Sequence, residues 1–151
     1  MRNRNIRDYS KVVEGTVVIL DLDKFKEVTK EKGFDEYKPN VITGTLTHLV
    51  ENFVRKWNAY VLYGLDYFRG TEEAIIVVPM TKPEEILDDL EKIRKEIEKL
   101  GATISIGVSY GIIINIKPKN RREAYRNITV KNALKALREA KRKGGNRIVV
   151  K

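Results

Sequence analysis

The stretch Val17-Val-Ile-Leu-Asp-Leu-Asp-Lys-Phe-Lys26 decides how the chain is read. With Thr16 it opens as a short, uncharged, β-branched run, which has the pattern of a buried strand. That run ends on Asp21 and Asp23, so the strand delivers two carboxylates at its C-terminal end. Lys24 to Lys32 then has helical composition, with Gly33 as its stop. Further on, Thr43 or Thr45 is placed to cap a helix through Trp57, because Leu46, Leu49, Val50, Phe53 and Val54 recur at helical spacing. Two β-rich runs follow, Ala59 to Phe68 and Ala74 to Val78. Arg69-Gly-Thr-Glu-Glu73 separates them, with Gly70 suited to a tight hairpin turn.

Pro83 opens a further helix, Glu84 to Leu100, whose apolar stripe is Ile86, Leu90, Ile93, Ile97 and Leu100; Gly101 ends it. Thr103 to Ile116 is β-rich, Lys117 to Asn127 a basic connection, Val130 to Lys143 a helix, and Arg147 to Val150 a last strand. The order β-α-α-β-β-α-β-α-β predicts an α+β fold, a mixed and mostly antiparallel sheet packed with helices, rather than a βαβ alternation. No repeat or linker divides the 151 residues, which reads as one domain with a basic extension over 1–14. If the first strand lies beside the hairpin, Asp21, Asp23, Glu72 and Glu73 converge at one sheet edge. Clustered carboxylates repel, and a hard cation such as Mg²⁺ relieves that repulsion through oxygen ligation. On spacing alone the signal is weak, because DxD and EE pairs occur in many unrelated sequences.

Four segments carry a family resemblance. The opening stretch resembles the first strand and helix of GGDEF domains, the diguanylate cyclase family, with their hydrophobic run and DxDxFK. Gly70-Thr-Glu-Glu-Ala-Ile-Ile-Val-Val-Pro79 falls where that family has GGDEF or GGEEF followed by an apolar strand. Thr103-Ile-Ser-Ile-Gly-Val108 looks like its TVSIGV strand, and Ala133 to Arg147 is similar to its final ALYxAKxxGRNR helix and turn. The resemblance implies a palm, or nucleotidyl-cyclase, fold with a ferredoxin-like core. It implies Asp21 and Glu72 as ligands of Mg²⁺ or Mn²⁺, with the Leu22 carbonyl as a main-chain ligand. Lys26 and Lys141 match lysines that contact the triphosphate, and Glu73 matches the motif's second acid. The implied substrate is a nucleoside triphosphate, ATP or GTP, and the implied product a cyclic di- or oligonucleotide. A homodimer in which each half-site supplies one triphosphate would suit such a product.

The departures are specific. Thr71 replaces the motif's second glycine, where a side chain is expected to crowd an approaching nucleotide. Ala74 replaces its phenylalanine. Thr29 stands where the family reads guanine with asparagine, and Lys38 aligns with its later aspartate. The RxxD product-inhibition motif is lost at Val61 and Gly64, and the interval from Gly33 to Gly70 is long. This pattern also resembles minimal CRISPR polymerases and the polymerase subunit of type III CRISPR complexes, and archaeal GTP cyclohydrolase III shares the fold. A competing register with Gly64-Leu-Asp66 as the hairpin acid is disfavoured by the Tyr67-Phe68-Arg69 that follows. A degenerate domain that holds a nucleotide or oligonucleotide without turnover is the alternative reading.

The absence of cysteine excludes disulfides and thiolate metal sites, and the single histidine, His48, excludes His-rich zinc sites. No apolar run approaches the ~20 residues that span a bilayer, and no secretory signal is legible, which makes the cytoplasm the expected compartment. The net charge of +9 is uneven: after Lys117 the chain carries twelve Lys or Arg against Glu123 and Glu139. That segment is expected to meet an anion, nucleic acid included, although dense Lys and Glu surfaces are also a thermophile habit. Trp57, Tyr60, Tyr63 and Tyr67 are read as packing residues before base-stacking ones.

Because Thr29 and Lys38 replace the groups that would read guanine, GTP and ATP should bind with similar affinity. A site built to hydrogen-bond one base can reject others by ~10⁴-fold, and losing those groups collapses the ratio. Binding of non-hydrolysable GTP and ATP analogues checks this, and a guanine preference of ~100-fold or more would overturn it.

Overall fold

Residues Thr16 to Leu20 are shut off from solvent entirely, so the strand they form must be central, with neighbours on both edges and cover on both faces. The computed structural model describes residues 12–34, 40–114 and 118–151. In chain order the elements are β1 (Val12–Leu22), α1 (Phe25–Glu31), α2 (Val41–Trp57), β2 (Tyr60–Tyr63), β3 (Glu73–Pro79), α3 (Pro83–Lys99), β4 (Ile104–Ile114), α4 (Arg121–Ala124), α5 (Ile128–Arg142) and β5 (Ile148–Val150). The sheet order is β2-β3-β1-β4-β5. β1 is antiparallel to both neighbours, and only β4–β5 is parallel. The α+β architecture expected from the element order, a mixed and mostly antiparallel sheet packed with helices, is the one observed, and β1 does lie beside the β2–β3 pair.

Strand alternation sends the core to two faces. Val18, Leu20 and Leu22, with Ala74, Ile76 and Val78 beside them, pack beneath Leu46 and Val50 of α2 and Ile86, Leu90 and Ile97 of α3. Val17 and Ile19, with Ile75, Val77 and Ile113, pack beneath Ala124 of α4 and Val130, Ala133 and Leu137 of α5. α5 lies close to β4 because position 107 is glycine. A Cβ there would fall 2.2 Å from the Ala133 carbonyl oxygen and 2.4 Å from the Leu137 nitrogen.

Several boundaries differ from the sequence expectation. β1 reaches back to Val12, so residues 12–14 of the expected extension are strand, held by β4 through the Val12–Ile114 and Glu14–Ile112 pairs. The cap of α2 is Asn40, whose side chain accepts from the Ile42 and Thr43 amides, while the Thr43 hydroxyl accepts from the Asn40 amide. Asparagine outranks threonine as a cap, and Thr43 completes a reciprocal box. The β2–β3 connection is a loop over 64–72 rather than a tight turn, since Asp66 folds a turn of its own by accepting from the Phe68 and Arg69 amides. The basic connection contains α4, capped by Asn120. Lys38 and Lys117 lie outside the described residues. No helix among the described residues is long and apolar enough to cross a membrane.

Gly107→Ala should cost about 1–3 kcal/mol, because a new methyl meets backbone that cannot step aside. Urea denaturation measures it, and a loss below about 0.5 kcal/mol, the ordinary surface range, would show that α5 can lift from β4.

Candidate functional site

Asp21 and Glu73 are register partners across β1 and β3, so both side chains leave the same face of the sheet. Like charges placed opposite one another destabilise a ladder, and here each carboxylate has a cation. Lys141 Nζ lies 2.9 Å from Asp21 Oδ2 and Arg121 3.2 Å from Glu73 Oε2. Arg69 lies 3.5 Å from Glu72 Oε2. Glu72 ends the loop before β3, where its carbonyl accepts from the Leu22 amide at 3.0 Å. Asp21, Glu72 and Glu73 thus line one cavity of about 350 Å³, with Arg69 and Arg121 at its edge. Burial raises the pKa of Glu73 above the usual carboxylate range; Arg121 opposes that shift, while Asp21 and Glu72 reinforce it. The three acids are therefore close enough to repel.

Asp23 behaves differently. Past the end of β1 its side chain turns inward, only 8% of the residue remains exposed, and it is fully hydrogen-bonded. Thr103 Oγ1 donates to it at 2.8 Å, Ser105 Oγ at 2.7 Å, the Asn146 amide at 2.9 Å and Lys141 Nζ at 3.0 Å. Burial alone would raise its pKa, but bonds from Ser105, Thr103, Lys141 and the Asn146 amide outweigh burial and hold it below the usual value. Gly145 has φ +77°, and a Cβ there would lie 2.7 Å from the Asp23 carboxylate, so the turn after α5 closes directly onto it. Lys141 also donates to the Leu22 carbonyl at 3.2 Å. Burial works against its charge, yet Asp21 and Asp23 together raise its pKa and keep it an ammonium.

The other residues singled out by sequence fall into place unevenly. Thr71 is fully buried, and its hydroxyl bonds Thr47 Oγ1 on α2 at 2.7 Å. It points into the protein and does not crowd the cavity. Ala74 faces the α2–α3 core opposite Leu20. Thr29 is buried, with its hydroxyl donating to the Phe25 carbonyl at 2.6 Å. Phe25 packs against the core. Lys26 is exposed on α1 and lines neither the carboxylate cavity nor a second cleft of about 830 Å³ that adjoins it at Asp21 and Arg121. Asp66 lines the cavity, but one of its oxygens is engaged in the loop turn. His48 is exposed. Trp57 Nε1 donates to Asp89 at 2.8 Å, which ties α2 to α3. Sequence reasoning missed Arg121, for which the only signal was the basic run. It also missed Thr103, Ser105 and Asn146, whose hydroxyl and amide chemistry acquires meaning only beside Asp23.

Asp23→Asn should cost about 1–3 kcal/mol at pH 7, the range for charged hydrogen bonds in a buried place. Because the folded-state pKa of Asp23 is depressed, its contribution is complete above the ordinary value of 3.8 and lost as pH falls through the folded value. Urea midpoints of both proteins at neutral and acid pH should converge in acid. A gap that persists unchanged there would show that ionised Asp23 is not what the folded state stabilises.

No protein-family model matches the sequence, and no curated protein matches it significantly. Solved structures do match. The diguanylate cyclase SiaD of Pseudomonas aeruginosa, solved with its activator SiaC, superposes with a TM-score of 0.65 at 22% identity, over 99% of this chain and 55% of that one. This chain therefore spans about half the length of SiaD. The GGDEF domain of DgcB from Caulobacter crescentus, in complex with c-di-GMP, gives 0.59 at 21% identity, over 99% and 84%. The Csm1-Csm4 cassette in complex with cA4 gives 0.52 at 16% identity, over 95% and 22%. With β1, the β2–β3 pair and α5 bringing Asp21, Glu73 and Lys141 together as described, the chain has a GGDEF-like palm fold.

Proposed function

We propose that the protein is a divalent-metal-dependent nucleotidyltransferase of the cyclase type, acting on ATP or GTP to build a cyclic di- or oligonucleotide. The observation that carries this reading is the convergence of Asp21, Glu72 and Glu73 on one cavity. Among the described residues no three acidic or histidine side chains form a metal cluster by themselves. A cation would be held by the Asp21 and Glu72 carboxylates with the Leu22 carbonyl, a hard-oxygen set that suits Mg²⁺ or Mn²⁺. Burial is the main cause of the raised Glu73 pKa, and Asp21 and Glu72 add to it; such an ion would relieve that added repulsion. When bound, the ion would polarise phosphoryl oxygens and lower the pKa of an attacking hydroxyl.

The chain's own residues supply the rest. Lys141, kept protonated between Asp21 and Asp23, can pass its charge to a phosphate without leaving its anchor on Asp23. The resemblance implies Lys26, exposed on α1 and outside both cavities, as a second phosphate cation. Glu73, whose pKa burial raises, is suited to take the proton of an attacking hydroxyl. The nucleotides held by structural neighbours, c-di-GMP in the DgcB domain and cA4 in the Csm1-Csm4 cassette, support a nucleotide in this fold. A binding module without turnover is favoured by a different observation: Arg69, Arg121 and Lys141 already neutralise the three carboxylates.

Incubation with each of the four NTPs and Mg²⁺ or Mn²⁺, with products resolved by mass, separates the two. The transferase reading expects an oligonucleotide product whose yield falls ~100-fold or more in Asp21→Asn and in Glu72→Gln, the scale of lost transition-state electrostatics. Nucleotide binding without product from any NTP would instead establish the module.

A further inference from the structure

Beside the carboxylate cavity lies a larger cleft of about 830 Å³, and the two share Asp21 and Arg121. Its character is opposite. Leu134, Leu137, Arg138, Lys141 and Arg142 enter it from α5, at the i, i+3, i+4, i+7, i+8 spacing that places residues on one helix face. Arg121, Arg122 and Tyr125 close it from α4 and the residue beyond. Five cations thus face one carboxylate, Asp21, above an apolar floor of Tyr125, Leu134 and Leu137.

Two of the five cations are already committed, Lys141 to Asp21 and Asp23 and Arg121 to Glu73. Arg122, Arg138 and Arg142 are exposed and, among the described residues, have neither an ion pair nor a hydrogen bond. Unpaired arginines on an open surface are ordinary. Three of them converging on a concavity with an apolar floor repel one another until an anion enters. The guanidinium fork matches phosphate oxygens two at a time. The volume falls in the ~300–1,000 Å³ range of small-molecule sites. Tyr125, half-buried with its hydroxyl accepting from Arg121 Nε at 3.2 Å, offers a flat surface against which a base can lie. The chain's own first residues are poorly suited to fill the cleft, since residues 1–11 carry Arg2, Arg4, Arg7 and Lys11 against only Asp8.

We propose that this cleft is a second nucleotide site, with phosphates on Arg122, Arg138 and Arg142 and the base against Tyr125, Leu134 and Leu137. One chain would then hold two nucleotides on either flank of Asp21. Only the identity of the first nucleotide rests on the transferase reading above; the cleft requires no metal.

The test is calorimetric binding of non-hydrolysable ATP and GTP analogues, in excess Mg²⁺ and in EDTA. Two equivalents per chain are expected with Mg²⁺ and one in EDTA. Glu72→Gln should remove the metal-dependent equivalent and leave the EDTA-resistant one, so failure of the metal centre is distinguished from failure of the cleft. The double variant Arg138→Glu, Arg142→Glu should weaken the EDTA-resistant equivalent at least about ten-fold, as expected for lost charge-assisted bonds, and spare the other. Arg122→Ala, on a different element, should act in the same direction, with circular dichroism confirming that both proteins are folded. No binding in EDTA, or EDTA-resistant binding unmoved by these variants, would overturn the proposal. Inorganic triphosphate binding as tightly as the analogues would overturn the base contact and with it the nucleotide assignment. A short single-stranded RNA binding ~100-fold tighter than either analogue, on the scale of stacked bases, would replace it with a strand-binding groove.

Discussion

The geometry of the site depends on one buried carboxylate. Asp23 brings a negative charge into the protein where β1 ends, and a buried charge is tolerated only when its oxygens are bonded. Its four donors come from the approach to β4, from β4 itself, from α5 and from the turn after α5. Each bond is local, but together they fix where the C-terminal end of α5 sits over the sheet. Lys141 is carried to Asp21 by that placement, and Gly145 permits the turn to close onto the carboxylate without a side chain in the way. The charge of Asp23 is thus structural, and it keeps the neighbouring Asp21 and Lys141 in register with each other.

From that anchor the electrostatics of this face follow. Asp21, Glu72 and Glu73 form an acidic cavity in which each carboxylate is paired with a cation, while burial, with a smaller push from Asp21 and Glu72, raises the pKa of Glu73. A basic cleft adjoins it, and Asp21 and Arg121 are common to both. An acidic cavity suits a cation and a basic cleft suits an anion. Burial sharpens the contrast, because charges in a half-enclosed space interact more strongly than in water.

The two departures from the GGDEF pattern that flank the acids are also explained by packing. Thr71 stands in place of a glycine, yet its side chain is directed inward and tied to Thr47, so the loop keeps its course while the cavity stays clear. Ala74 lies against Leu20 beneath α2 and α3, where a larger ring would have to displace buried helix residues. Thr29 spends its hydroxyl on its own helix, as threonine within a helix commonly does.

The sequence by itself determined the buried strand ending in Asp21, the apolar stripes of α2 and α3, the extent of α5, and the order of elements that implies a mixed sheet. These are a continuous β-branched run and period-3.6 signals, carried by neighbouring residues and readable without knowing what they touch. The resemblance to GGDEF segments located Asp21, Glu72, Glu73 and Lys141, which β1, the β2–β3 loop, β3 and α5 bring together. Tertiary structure alone decided that Asp23 is an internal anchor while Asp21, two residues away, faces the cavity; both read as strand-end acids. It alone decided that Thr71 points inward and that Arg121 reaches Glu73. These outcomes turn on contacts between residues tens of positions apart, such as Asp23 with Ser105 and Asn146. Whether a carboxylate is solvated, paired or buried is set by what the fold places around it, and local sequence does not encode that.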